Sequence, residues 1–150
     1  MPLIEKDYIK TGKVKYIVRD FPLEAIHKQA FKAAEATRCA GEQGKYWEMH
    51  ERLFADPKAL DPKGLSDSAQ ALKLDMSKFQ PCLDSGKYAA AIRKDMADAN
   101  PLGVRGTPAF FLGLADPNDP KKFKATRQIR GADAFSGFQA NIDALLSGDN

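Results

Sequence analysis

The chain has 150 residues, 43% of them hydrophobic and 29% charged, with a formal charge of +3. That is enough chain for one buried core, with no signature of disorder or collagen, and Lys and Arg scattered among Asp and Glu give no reason to expect a nucleic-acid partner. No apolar run approaches the roughly 18 to 20 residues of a membrane span, and MPLIEKDYIK lacks the basic stretch and apolar core of a signal peptide, so the chain as written is expected to carry no export address. The two cysteines, Cys39 and Cys82, exclude a cysteine-cluster zinc site and a disulfide-rich scaffold, leaving at most one bridge.

In chain order, PLIEKDY places Leu3, Ile4 and Tyr8 on one face and reads as the tail of a helix stopped at Gly12. KVKYIVRDF alternates around Val14, Tyr16 and Val18, which predicts a strand over residues 13 to 20 ending before Pro22. From Glu24 to Asn100 the pattern is helical. It comprises an Ala-rich stretch through Ala40, a helix from Tyr46 to Phe54, short helices near Ser66 to Leu74 and Asp75 to Ser85, and a clear one carrying Tyr88, Ala91, Ile92, Met96 and Ala99. After Gly103, PAFFLG is a continuous apolar run expected of a strand covered on both faces, and ATRQIRG reads as a polar edge strand. A final helix aligns Phe135, Phe138, Ile142, Leu145 and Leu146 on one stripe, with Asp133 as its expected cap.

The segment from Gly103 to Phe111 joins a helix to a buried strand through Thr107-Pro108, with proline where its missing N–H does least harm. Two readings stand on local grounds. The proline is a plain trans strand initiator, or it is cis and leaves the preceding backbone groups exposed to a partner strand.

The string VRGTPAFFLG resembles the cis-proline loop of DsbA-like thioredoxin-fold thiol-disulfide oxidoreductases. VRDFPLEAIHKQAFKAAEATRCAGEQGKYWEMHERLF resembles the strand and first inserted helices of that family, and the likeness extends through FQPCLDSGKY to nearly the whole chain. The resemblance implies an α/β, thioredoxin-like sheet with a large helical insertion. The thioredoxin core would occupy residues 1–23 and 101–150 of a single domain, and the insertion residues 24–100. It implies a cis Thr107-Pro108 bond and polypeptide docking on Arg105, Gly106, Thr107 and Pro108. It also implies cysteine-containing or unfolded polypeptide substrates, a redox partner protein, no cofactor, and a periplasmic or extracytoplasmic setting.

Family members carry a first strand and a Cys-x-x-C helix start upstream of a stretch like PLIEKDYIKTGKVKYIV. The expectation is therefore an N-terminally truncated member without a catalytic cysteine pair. The gap in its sheet would then be met by direct pairing of its two neighbours, by a partner chain or dimer through the open sheet, or by poor stability.

Cys39 lies late in a helix, where the dipole disfavours a thiolate, whereas Cys82 would gain reactivity if Pro81 opened a short helix. The stronger reading for the pair is a structural disulfide, favoured because relatives are exported; the other is two buried, reduced cysteines. His27 and His50 fall on predicted helices, but Glu48-Met49-His50-Glu51 is not the His-Glu-x-x-His spacing of a metal site. Trp47, Met49, Leu53 and Phe54 read as helix core or as a groove for unfolded substrate. Lys121, Lys122, Lys124, Arg127 and Arg130 read as a solvated, charge-protected edge or as an anion-attracting run. Glycine-rich phosphate loops and Ser-His-Asp sets are absent. Two functions follow: disulfide exchange at the family level, and a redox-silent peptide-binding or chaperone-like module. A glutathione-transferase-like relative is a third, more remote reading.

Overall fold

The computed structural model describes residues 2–119 and 122–148. The chain divides into two compact units, one of residues 1–18 and 104–150 and the other of residues 19–103. Helices together with a small antiparallel sheet give the expected α/β class.

The first unit opens with α1 (Pro2–Ile4), which widens into a π-helical turn over Glu5–Ile9, closed by the Lys10 amide on the Glu5 carbonyl and ending near Gly12 at φ +75°. Glycine adopts that left-handed backbone without a Cβ penalty. The predicted strand at 13 to 20 does not form: residues 14–20 belong to no strand, and among the described residues the sheet has two strands only. Their burial still alternates residue by residue, so the sequence pattern is realised as one face against the core. What is missing is a neighbouring ladder, without which a strand is not defined. The expected direct pairing with the strand after Pro108 is therefore absent among the described residues.

That later strand, β1 (Ala109–Ala115), pairs antiparallel with β2 (Phe123–Arg130), from Ala109 opposite Arg130 to Ala115 opposite Phe123. The register slips between Leu112 and Gly113, leaving Thr126 as the extra residue of a bulge. β1 is half-buried through Gly113 and exposed beyond it, so it is less enclosed than its apolar run implies. α7 (Phe135–Ser147) buries Phe138, Ile142 and Leu145 on one stripe. Its N-cap is Ala134, not the expected Asp133, whose carboxylate accepts the Ala134 N–H and lies over the first turn against Gly137. Ile4, Tyr8, Phe138 and Ile142 form the centre of this unit, with Val14, Phe110, Leu112 and Ile129 packed against it and Phe110 edge-on to Phe138 at 4.8 Å. Each such side chain contributes about 1.5 to 3 kcal/mol when fully buried.

The second unit is wholly helical: α2 (Ala30–Gly41), α3 (Tyr46–Ala55), α4 (Pro62–Ala71), α5 (Met76–Asp84) and α6 (Ala89–Ala99), followed by a 3-10 turn at Asn100–Leu102. Apolar residues at helical spacing meet in one cluster: Ala36, Cys39 and Ala40; Met49 and Leu53; Leu65 and Ala69; Phe79, Cys82 and Leu83. Asp61 caps α4 through the Gly64 N–H with Pro62 in the first turn, and Asp75 caps α5 through Ser77, each worth about 1 kcal/mol. Pro81 lies inside α5 and does not start it, so Cys82 sits in the last turn and the helix dipole gives its sulfur no support. The reading that would have made Cys82 reactive is thereby corrected. His27 lies exposed in the irregular segment before α2, not on a helix.

Candidate functional site: the Thr107-Pro108 loop and the Cys39–Cys82 bridge

The loop begins where Gly103, at φ +73°, ends the 3-10 turn and Val104 anchors the chain in the first unit with 6% exposure. From there Arg105, Thr107 and Pro108 are exposed and Gly106 is half-buried. The Thr107-Pro108 bond is cis. The Pro108 carbonyl accepts the Gly131 N–H at 2.8 Å, which ties the loop to the far end of β2. Thr107 has no hydrogen-bond partner among the described residues. The loop thus leaves the Thr107 backbone groups exposed and unpaired among the described residues, directly before a fixed strand.

In the helical unit, Cys39 and Cys82 form a disulfide with their Cα atoms 6.0 Å apart, joining the last turn of α2 to the last turn of α5. Cys39 is 2% exposed and Cys82 9%. Beside the bridge, Glu42 accepts from Lys87 at 2.6 Å and from the Tyr88 hydroxyl at 2.7 Å, and these bonds hold its carboxyl below the ordinary range. A second link between the same two helices is Lys32, which reaches both Glu35 at 2.8 Å and the Leu83 carbonyl at 2.7 Å. Glu35 is 3% exposed and its Oε1 has no hydrogen-bond partner among the described residues. That oxygen faces Gly86, where any Cβ would sit 3.4 Å away.

Reasoning from sequence missed a buried charge network. Asp95, 3% exposed at its side chain, accepts from Arg19 at 2.6 Å, from Arg38 at 2.5 Å and from the Asp20 amide at 3.2 Å, while Arg38 also donates to Asp20 at 2.6 Å. Burial pushes the Asp20 carboxyl up despite its Arg38 partner. No local motif announces this network, because its members lie up to 76 residues apart in sequence.

The other candidates separate. Met49 and Leu53 belong to the core, whereas Trp47 is 45% and Phe54 76% exposed, so the four do not line one groove. The helix period decides this: residues 49 and 53 share the inner face, and 46, 50 and 54 share an outer row in which the His50 and Phe54 rings lie 4.6 Å apart. Among the described residues no three His, Cys, Asp or Glu side chains are grouped to hold a metal ion. In the basic run Lys122 pairs with Asp119 and Arg127 donates to Asn141, while Lys121 lies outside the described residues.

A family model described as Thioredoxin matches residues 3–129. Among solved structures, α-DsbA1 of Wolbachia pipientis is similar at TM-score 0.81 and 29% identity, over 99% of this chain and 76% of that one. A double cysteine-to-alanine variant of it gives TM-score 0.79. Among curated proteins, the chain is similar to Na(+)/H(+) antiporter NhaA 3 of Salinispora tropica, 35% identical over 83% of this chain and 19% of that protein. It is also similar to NhaA 1 of Mycolicibacterium gilvum, 32% identical over 81% and 20%. The chain thus spans about a fifth of the length of those curated relatives. No helix among the described residues is long and apolar enough to cross a membrane. With the cis-proline loop, the strand it opens and the helical unit between residues 19 and 103 all in place, the chain belongs to the thioredoxin family, as a DsbA-like member.

Proposed function

We infer that this chain serves thiol-disulfide exchange as its polypeptide-docking part, with cysteine-containing or unfolded substrates held at Arg105, Gly106, Thr107 and Pro108. The observation that carries the reading is the exposed loop in which Thr107 keeps its backbone groups unpaired directly before β1. A docked extended segment would pair with those groups while its side chains remain free to vary, which suits a broad range of polypeptides.

Cys39 and Cys82 are the structural staple in this reading, since both are used in one bridge between two buried helix ends. The exchanging pair is then not among residues 1–150, and these residues taken alone are redox-silent. A structural disulfide of this kind suits an oxidising, extracytoplasmic compartment.

The test is a titration of the isotopically labelled chain with a reduced, alkylated ribonuclease as the unfolded probe. Amide shifts at residues 105–108 are the expected result. Perturbation confined to residues 19–103, with the loop unmoved, would place docking on the helical unit and overturn the assignment.

A further inference from the structure

The two sulfurs of the Cys39–Cys82 bridge are not equally open to a thiol from solution. Cys39 is 2% exposed and Cys82 9%, so attack comes at Cys82 Sγ. There the attacker meets a carboxylate, because Glu42 Oε1 lies 3.8 Å from that sulfur. The contact is not a hydrogen bond, since neither sulfur of a disulfide carries a hydrogen. Lys87 at 2.6 Å and the Tyr88 hydroxyl at 2.7 Å fix the carboxylate in place. The same two donors hold its carboxyl below the ordinary range, so it is ionised wherever thiolates form.

Exchange at the bridge follows one chemical course. An incoming thiolate sulfur bonds to Cys82 Sγ, the bond between the two cysteines breaks, and its electron pair leaves on Cys39 Sγ, which takes a proton from water. A second thiolate then attacks the mixed disulfide, releasing the oxidised reductant and leaving Cys82 as a thiol. Two features oppose the first step. The leaving sulfur is buried in the last turn of α2, where the helix dipole disfavours a thiolate. The incoming thiolate is repelled by Glu42.

We propose that Glu42 is an electrostatic gate that keeps thiolates away from the Cys39–Cys82 bridge, with Lys87 as the opposing charge that sets its strength. Were Glu42 neutral, the Lys87 ammonium would be the charge left beside this end of the bridge, and the site would attract thiolates instead of repelling them. The gate discriminates by charge: it excludes an acidic thiol such as glutathione more strongly than a thiol that carries an ammonium group. The inference concerns the bridge alone and stands whether or not residues 105–108 dock polypeptides.

The experiment is reduction of the folded, oxidised full chain by excess thiol at about pH 8, with the freed cysteines mass-tagged over time. Glutathione is net negative in its thiolate form, and cysteamine is net neutral. Glu42→Gln is expected to speed reduction by glutathione about three- to tenfold and reduction by cysteamine less, with the difference closing in about 1 M salt. Lys87→Met is expected to slow reduction by glutathione. A merely loosened fold would speed reduction in both variants and by both thiols alike, so the opposite signs separate a gate from a structural role. An unchanged rate in Glu42→Gln, equal acceleration with the two thiols, or acceleration in Lys87→Met overturns the proposal.

Discussion

His50 is half-buried on the outer row of α3, stacked near Tyr46 and Phe54. Burial holds its imidazole below the ordinary range, with Asp20 and Glu51 pulling the other way. As pH falls, the unfolded chain therefore takes up this proton first. The contribution of His50 to stability is complete above about pH 6.5 and is lost as pH falls through the lower folded-state value. Urea unfolding at pH 7.5 and 5.5 should show a loss of stability that His50→Gln lacks. An equal loss in both proteins would show that another group titrates. Asp20 has the opposite sign: burial raises its carboxyl, so its contribution is full at low pH and falls as pH rises through its folded value.

At the scale of elements, the hairpin β1–β2 depends on one close approach. A Cβ at Gly113 would lie 1.9 Å from the Lys124 carbonyl oxygen, at the bulge where the register slips. Gly113→Ala should cost about 1 to 3 kcal/mol of stability, the usual range for overpacking, as measured by chemical unfolding. A neutral result would mean that the bulge relocates.

Much of this architecture was legible in the sequence. The stripes of α3, α6 and α7 follow from the 3.6-residue period because one face of each meets a core, and β1 and β2 are marked by an apolar run and a polar one. The extended 13–20 segment was misassigned because alternation reports a buried face, whereas a strand also needs a neighbour, which local sequence does not contain. The helix expected from Asp75 to Ser85 forms, and the alternative in which Pro81 opens a shorter one fails for a related reason. Proline favours a first helical turn, but Asp75 caps the helix earlier and packing of Phe79 and Leu83 carries it through the proline. Of the candidate site, the Thr107-Pro108 loop was legible as a motif, while the Arg38–Asp95–Asp20 network was not, since only the fold brings its members together.

For the whole molecule, the decisive question is what the Cys39–Cys82 bridge does. It closes a separation of 43 residues within the helical unit, which in the chain-entropy account contributes about 4 kcal/mol by restricting the unfolded chain. The double variant Cys39→Ala with Cys82→Ala should therefore unfold at lower denaturant, with residues 19–103 losing hydrogen-exchange protection. Undiminished stability would deny the bridge its role as a staple. Loss of stability alone does not separate a staple from a redox pair, because a catalytic bridge also constrains the chain. Turnover does separate them, and the most direct measurement is reduction of insulin by dithiothreitol in the presence of this chain and of its double cysteine variant. A structural bridge predicts that both proteins leave the reaction at its uncatalysed rate. Acceleration by the parent chain that vanishes in the variant would contradict that account and make Cys39 and Cys82 the redox centre.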